Sequence, residues 1–316
     1  MQYLVFDIGG SFIKYALIDQ LNEISENNKF KTPLDNKELF LESIKNVYEK
    51  FRDRISGIAI SMPGKIDVYN GYAHSAGILS FLEQTSIVDL FREFTDLPVA
   101  VENDGKCAAL AEAWFGSLKN VESGLVIVFG TGVAGGLIFN NRLYRGFNSI
   151  AGEFSFTHSH DADGRRTFLG YEGSVSTLIR KVEKMKQLPK KSLTGEQVFD
   201  LVQQADADAN QALDEYCDVI AETLLNYQHI LDPELISIGG GISEQSIFIN
   251  RINERLEILV EELPYVLMMP TIVQSTYRNE ANLLGALANF HINKIKTLQE
   301  SIVTSENVEI NLKVSE

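Results

Sequence analysis

The chain has 316 residues, of which 45% are hydrophobic, so it can bury a core large enough for two lobes. Its formal net charge of −15, from 43 acidic and 28 basic residues, disfavours binding to nucleic acid or to anionic membranes. Cys107 and Cys217 provide no disulfide framework, no signal peptide is recognisable, and no apolar stretch reaches the roughly 18 residues that cross a bilayer. We therefore expect a cytoplasmic enzyme.

The first half of the chain alternates strands with helices. Apolar runs at 3–6 and 13–18 flank a glycine turn, which predicts a β-hairpin. Apolar residues at helical spacing over 40–51, followed by an apolar run at 57–61, predict a helix and then a buried strand. A further strand at 97–101 leads into an alanine-rich helix. This half therefore reads as one α/β lobe.

The second half repeats the pattern. A strand at 124–129, a glycine turn and another strand indicate an internal duplication. Helical spacing from 213 to 227 ends near Asp232-Pro233, because proline cannot continue a helix. A strand at 235–238 and an amphipathic helix at 249–259 follow. The predicted parts are an N-terminal lobe at 1–115, a C-terminal lobe at 116–280, a helix near 281–296 that completes the first lobe, and a tail at 297–316 that is either ordered or partly disordered.

Glycine turns follow three of the predicted strands, at Gly9-Gly10, Gly130-Thr131-Gly132 and Gly239-Gly240-Gly241. Glycine lets backbone N–H groups approach an anion closely, and the hydroxyl groups of Ser11 and Thr131 add donors. Any one of these turns also suits an ordinary hairpin. Three of them at strand ends, spread over both halves, predict a clamp for a polyphosphate.

Residues 130–135 also match the GxGxxG pattern of dinucleotide-binding folds. That fingerprint opens a helix, whereas residues 136–139 with Asn140-Asn141 predict a second strand and a hairpin turn. The context therefore favours a phosphate-binding hairpin over a nicotinamide site.

A carboxylate ends the first predicted strand, beside the first glycine turn. Asp7 could hold Mg²⁺ directly or through water, and a turn or capping aspartate is the alternative. Lys14 in the same hairpin is either a phosphate partner or a solvated strand lysine. These residues make the hairpin a candidate metal and phosphate site.

Five motifs resemble those of the ROK family, which contains repressors, open reading frames and sugar kinases. In chain order they are Asp7-Ile8-Gly9-Gly10-Ser11, Glu102-Asn103-Asp104, Phe129-Gly130-Thr131-Gly132, Ala151-Gly152-Glu153 and Ile238-Gly239-Gly240-Gly241. The resemblance runs from about Met1 to Phe290. It implies an α/β protein of the actin-like ATPase fold, with duplicated ribonuclease H-like lobes and a central cleft that binds ATP, Mg²⁺ and a sugar. It also implies a homodimer.

The same resemblance implies a role for each site residue. Asp104 is the implied catalytic base, and an N-cap of the alanine-rich helix is its alternative role. The implied sugar-binding residues are Gly64, Asn103, Glu153 and Glu172. The implied nucleotide-binding residues are Asp7, Gly9, Gly10, Ser11, Thr131, Gly132, Gly240 and Gly241, with Asp7 also serving the magnesium ion.

Two departures from the family pattern change what we expect of the zinc site and of the sugar specificity. Phe156 stands where many members have a zinc-binding histidine, and no cysteine lies between Cys107 and Cys217, so we expect no structural zinc. His158-Ser159-His160-Asp161 carries ligand-type side chains but reads better as an exposed loop. The family's Asn-Leu-x-x-Trp sugar segment is replaced by residues 77–81, which argues against simple glucose specificity.

Bacterial β-glucoside kinases resemble the chain most, through runs like 57–61 and 151–154 and through the missing cysteines. The implied reaction is ATP-dependent phosphorylation of the 6-hydroxyl of a glucosyl unit, in a β-glucoside such as cellobiose. Glucokinase and N-acetylmannosamine kinase activities are alternatives. A sugar-responsive regulator is an alternative of another class, but the six residues before Asp7 cannot form a helix-turn-helix.

Overall fold

The computed structural model describes residues 1–34, 36–160, 163–263, 265–278 and 280–295. The chain divides into two compact units, which we call unit 1 (Met1–Cys107 with Asn282–Glu316) and unit 2 (Ala108–Ala281). The tail predicted at 297–316 lies outside the described residues. Among the helices in the described ranges, none is both long and apolar enough to cross a membrane.

Unit 1 is built on a five-stranded sheet of order β3-β2-β1-β4-β8. β1, β2 and β3 pair in antiparallel fashion, whereas β1, β4 and β8 are parallel. In chain order the elements are β1 (Gln2–Ile8), β2 (Phe12–Asp19), β3 (Ile24–Lys31), α1 (Lys37–Phe51), β4 (Ile55–Met62), β5 (Ile66–Asp67), β6 (Tyr72–Ala73), β7 (Thr85–Ser86), α2 (Ile87–Arg92), β8 (Val99–Asn103) and α3 (Asp104–Phe115), which continues into unit 2.

Helices pack on this sheet through apolar faces that the sequence pattern predicts. α1 begins after Asn36, whose side chain accepts a hydrogen bond from the Leu39 N–H. It then buries Phe40, Ile44 and Phe51 in the core of unit 1. Residues 281–295 are helical and also belong mostly to unit 1.

Unit 2 repeats the same strand arrangement, in the order β11-β10-β9-β14-β15. Its first three strands pair in antiparallel fashion, and β9, β14 and β15 are parallel. The elements after α3 are β9 (Gly124–Phe129), β10 (Val133–Phe139), β11 (Arg142–Tyr144), β12 (His158–His160), β13 (Arg166–Phe168), α4 (Leu169–Glu172), α5 (Val175–Met185), α6 (Gly195–Gln203), α7 (Ala207–Leu231), β14 (Leu235–Gly239), α8 (Ser246–Glu262) and β15 (Ile272–Gln274). The predicted internal duplication of an α/β lobe is confirmed.

The glycine turn at 130–132 joins two antiparallel strands, with Val133 opposite Phe129. β10 then continues into β11 through Asn140 and Asn141, which have φ values of 51° and 58°. Two central residues with positive φ are typical of a two-residue β-hairpin turn. The predicted hairpin is therefore confirmed, and this segment does not open the helix that a dinucleotide fingerprint requires.

One local prediction is wrong. His158–His160 is a short strand, β12, which pairs with Arg166–Phe168 and does not form a loop. The two histidines are nevertheless exposed, as predicted, while Asp161 lies outside the described residues. The alternation of side chains over three residues is too short to identify a strand from the sequence.

Candidate active site

In unit 1, polar side chains lie at the carboxyl ends of three parallel strands, and several of them are predicted site residues. Asp7 on β1 lies opposite Ser61 on β4, and Ser61 lies opposite Glu102 on β8. Asn103 and Asp104 follow at the end of β8 and the start of α3. Ligands of α/β sheets commonly bind at this edge, so the strand order itself assembles a candidate site.

Asp7 is held by contacts from three directions. It is buried, and its Oδ1 accepts hydrogen bonds from Ser61 Oγ at 3.1 Å and Asn282 Nδ2 at 3.0 Å. Its Oδ2 lies 3.5 Å from the ammonium of Lys14, the residue directly opposite on β2. The sequence did not single out Ser61 or Asn282. A polar residue at the end of the apolar 57–61 run was the signal for Ser61, but no local signal links Asn282 to Asp7.

Asp7 offers a carboxylate of the kind that binds magnesium. Magnesium is commonly bound by one or two carboxylates, with waters and phosphate oxygens completing its coordination. Asp7 Oδ1 already accepts two hydrogen bonds and Oδ2 faces Lys14, so a magnesium ion here would take most of its ligands from water and phosphate. In the described part of the chain, no group of three or more histidine, cysteine or acidic side chains gathers around one point.

Asn103, and not Asp104, caps α3. Its Oδ1 accepts a hydrogen bond from the Lys106 N–H at 3.1 Å, which is the usual N-cap contact. The Asn103 side-chain amide donates to the Gly64 carbonyl and to Asp104 Oδ1, both at 3.0 Å. Both N–H bonds of that amide are thus engaged within the protein. The alternative role given to Asp104, that of the N-cap, is therefore wrong, because the residue before it is the cap.

Asp104 is the first residue of α3 and is partly exposed. Its Oδ1 accepts from Asn103 and also from the Gly105 N–H at 2.8 Å. A helix N-terminus favours negative charge, and two donors fix the orientation of the carboxylate. Such a carboxylate can serve as a proton acceptor for a hydroxyl group placed beside it.

Gly64 accepts a hydrogen bond from Asn103 and lies shortly before residues 77–81 along the chain. Its φ is +107°, and a Cβ there would clash with the Ser75 carbonyl, so only glycine fits. Its own carbonyl accepts from Asn103. Further along this segment, Ile78 is exposed and lies against Gly10, where its Cγ2 would be 3.0 Å from a Cβ. Residues 77–81 therefore lie beside the first glycine turn.

A buried thiol also lies at this edge but cannot be a nucleophile. Burial, reinforced by the Glu102 carboxylate, raises the pKa of Cys107 well above its usual range. The thiol interacts with Ser61, which itself donates to Asp7. Cys107 therefore stays protonated and packs as part of the structure.

In unit 2, two glycine turns meet at one edge of the sheet. Gly239 at the end of β14 lies opposite Val128 near the end of β9. Gly240 has a φ of +90°, and a Cβ there would clash with the Phe129 carbonyl, just before Gly130. The third strand-end turn is therefore brought next to the second one.

Some glycines of these turns are not required by the protein's own packing. A Cβ built on Gly130 or Gly241 would meet no atom within 4 Å, and one on Gly132 would meet nothing closer than 3.8 Å. None of the three has a positive φ in the left-handed region. Open space therefore lies beside their backbone, next to the exposed residue Thr131, and an anion could approach the turn there.

The segments that carry the two acidic residues predicted to bind sugar contact β10 and this second turn. Gly152, just before Glu153, packs against β10, where its Cβ would be 3.0 Å from the Gly136 Cα. Glu172 is buried at the end of α4, and the Val175 N–H shortly after it donates to the Gly130 carbonyl at 2.9 Å. Unit 2 therefore brings its sequence-predicted site segments together.

Comparison with known proteins agrees with this arrangement. The chain is 29% identical over 293 residues to a β-glucoside kinase of Listeria monocytogenes, covering 92% of this chain and 97% of that protein. The structure of a ROK family protein from Streptococcus pneumoniae in complex with sucrose matches with a TM-score of 0.84 and 27% identity, over 94% of this chain and all of that one.

A more distant structure shows the fold alone. A ROK family glucokinase from Streptomyces griseus, solved with glucose and AMPPNP, matches with a TM-score of 0.78 and 21% identity, over 90% of this chain and 98% of that one. The predicted actin-like ATPase fold is confirmed. The model of the ROK family matches residues 3–292, and the chain belongs to this family.

Proposed function

We propose that this protein is an ATP-dependent sugar kinase that phosphorylates the 6-hydroxyl of a glucosyl unit, in a β-glucoside such as cellobiose. Membership of the ROK family and similarity to a β-glucoside kinase over most of the chain support the kinase class. The observation that carries the mechanism is the Asn103–Asp104 pair at the end of β8, in which Asn103 caps the helix and orients the Asp104 carboxylate.

Asp104 acts as the general base in this proposal. Its carboxylate takes the proton of the sugar hydroxyl as that oxygen forms a bond to the γ-phosphorus of ATP. The bond between this phosphorus and the β–γ bridging oxygen breaks, and ADP leaves. Asn103 holds Asp104 Oδ1 during the reaction, so the carboxylate does not have to reorient.

The glycine turns bind the nucleotide. In unit 1, the Gly10 N–H and the Ser11 hydroxyl are the proposed phosphate donors, because the Gly9 N–H already donates to the Phe12 carbonyl and Gly9 only shapes the turn. In unit 2, the proposed donors are the N–H groups of Gly132, Gly240 and Gly241 and the Thr131 hydroxyl. Asp7 would hold the magnesium ion, which would neutralise charge on the transferring phosphate. Lys14, already beside Asp7, adds positive charge at the same place.

The sugar is bound through its hydroxyl groups. In unit 2, Glu153 and Glu172 are the proposed acceptors for these hydroxyl groups. In unit 1, Asn103 Oδ1 and the Gly64 backbone are the proposed contacts with the glucosyl unit. Because both Asn103 N–H bonds are engaged within the protein, Asn103 acts toward the sugar as an acceptor. A cytoplasmic homodimer is proposed on the family resemblance, and light scattering tests the oligomeric state.

A substrate panel tests the proposal. ADP formation is followed with Mg·ATP and glucose, N-acetylmannosamine, fructose, cellobiose or aryl β-glucosides. We expect sugar-dependent ADP formation, with the highest kcat/KM for a β-glucoside. Absence of ADP formation with every sugar would contradict the kinase function. A higher kcat/KM for glucose or N-acetylmannosamine than for every β-glucoside would contradict only the narrower assignment.

A further inference from the structure

An exposed aromatic surface lies on the β12–β13 hairpin of unit 2. We call Phe156, His158 and Phe168 the hairpin aromatic face. Phe156 is 71% exposed and Phe168 is 48% exposed. The rings of His158 and Phe168 stack with centroids 5.3 Å apart and an interplanar angle of 29°. Phe156 lies two residues before His158 along the chain, so three aromatic side chains of one short segment and its paired strand are exposed to the solvent.

The hairpin connects the two predicted sugar-binding acids. On one arm, the Phe156 N–H donates to the Glu153 carbonyl at 3.1 Å, within one turn of 3₁₀ helix. On the other arm, the Leu169 N–H donates to the Thr157 carbonyl at 2.9 Å, and Leu169 begins the short helix that ends at Glu172. The hairpin aromatic face is therefore directly connected to the two segments that carry Glu153 and Glu172.

The fold itself does not need these three rings. The hairpin is anchored by other side chains, since Phe154 and Leu169 are buried and the Phe154 ring packs against Tyr227 with centroids 5.0 Å apart. Burying a phenylalanine side chain contributes about 1.5–3 kcal/mol, and the exposure of Phe156 and Phe168 gives up most of this gain for Phe156 and about half of it for Phe168. Exposed aromatic rings beside polar, substrate-binding groups are the usual lining of a ligand site.

We propose that the hairpin aromatic face binds the aglycone of the β-glucoside, that is, its second hexose ring or its aryl group. This inference rests on the proposed function. A β-glucoside carries at C1 a ring that free glucose lacks, and both a hexose C–H face and an aryl ring stack on aromatic side chains. Glu153 and Glu172 hold the glucosyl unit, and the adjoining Phe156, His158 and Phe168 select substrates with a second ring.

The test compares substrates within each variant. Phe156→Ala and Phe168→Ala are assayed for kcat/KM with cellobiose, phenyl β-glucoside and glucose. We expect a loss of about 3- to 30-fold for the two β-glucosides in each variant, the range of one lost stacking contact with its buried area, and a change below about twofold for glucose. Phe156→Tyr keeps the ring and should retain the preference for β-glucosides.

Tyr265→Ala is the matched control, because Tyr265 is a 91% exposed aromatic residue of unit 2 outside the hairpin. It should leave all three kcat/KM values unchanged. Equal losses for glucose and β-glucosides in the phenylalanine variants, or no loss at all, would overturn the inference while the kinase function stands. So would dissociation of an oligomer by Phe156→Ala with unchanged kinetics, because the face would then be a contact between copies.

Calorimetry separates failure of this inference from failure of the proposed function. Phenyl β-glucoside and glucose are titrated into wild type and Phe156→Ala without ATP. If phenyl β-glucoside binds more tightly than glucose to wild type but not to Phe156→Ala, the aromatic site is supported even when no sugar is phosphorylated. Equal affinity of both sugars for wild type overturns it.

Discussion

Replacing Asp104 with asparagine separates its chemical role from a structural one. In Asp104→Asn the side chain keeps an oxygen that can accept from Asn103 and Gly105, as Oδ1 does now. The cap of α3, worth about 1 kcal/mol, is supplied by Asn103 and remains. The favourable first-turn charge is lost, about 0.3–1 kcal/mol. Stability should therefore fall by less than about 1 kcal/mol, a Tm shift of roughly 2–4 °C.

Turnover should fall much further than stability. An amide does not accept a hydroxyl proton at neutral pH, so we expect kcat to decrease about 10²- to 10⁴-fold while sugar and ATP still bind. The assay measures kcat by ADP release, affinities by calorimetry and Tm by scanning calorimetry, all on one preparation. Glu38→Gln is the control, since it removes an exposed first-turn carboxylate from a different helix, α1.

Two results with Asp104→Asn would contradict the proposed role of this carboxylate. Near-normal kcat in Asp104→Asn would remove Asp104 from the mechanism. Unfolding of Asp104→Asn, with Glu38→Gln as stable as wild type, would show that the carboxylate is needed for the fold and that the cap from Asn103 is insufficient.

Three further predictions concern the surroundings of the site. Gly130→Ala should raise the KM for ATP and leave Tm unchanged, because a Cβ at this position meets no protein atom. Gly240→Ala should lower Tm, because Gly240 has a positive φ and a Cβ there would clash with the Phe129 carbonyl. A lower Tm for Gly130→Ala than for Gly240→Ala would contradict this. Asn282→Ala should lower stability by about 1–3 kcal/mol in urea unfolding, because buried Asp7 loses a donor, and an unchanged stability would argue against that contact. Iodoacetamide should not modify Cys107 in the folded protein at pH 8, since burial raises the pKa of this thiol, and stoichiometric labelling seen by intact mass would contradict its burial.

Features that depend on neighbouring residues were predictable from the sequence. Asn140-Asn141 identifies a hairpin turn because asparagine adopts positive φ with little strain, and this excluded a helix after Gly130. Proline after Asp232 marked the end of α7, where Asp232 indeed adopts a left-handed conformation. Glycine turns after apolar strands located the candidate phosphate sites, because both signals lie within a few residues.

Features that depend on tertiary contacts were not predictable. Asn282 and Asp7 are 275 residues apart, and only the packing of the last helix in unit 1 brings them together. The choice of Asn103 over Asp104 as the cap depends on the residue at which α3 begins, and the sequence allows either. The strand at His158–His160 exists because it pairs with Arg166–Phe168, so its own three residues do not reveal it.

NMR of the product formed from cellobiose, Mg·ATP and the wild-type protein tests the proposed kinase reaction. We predict one phosphate ester, with phosphorus coupled to the two H6 protons of the non-reducing glucose. A phosphate on any other hydroxyl group, or cellobiose left unmodified while another class of sugar is phosphorylated, would contradict it.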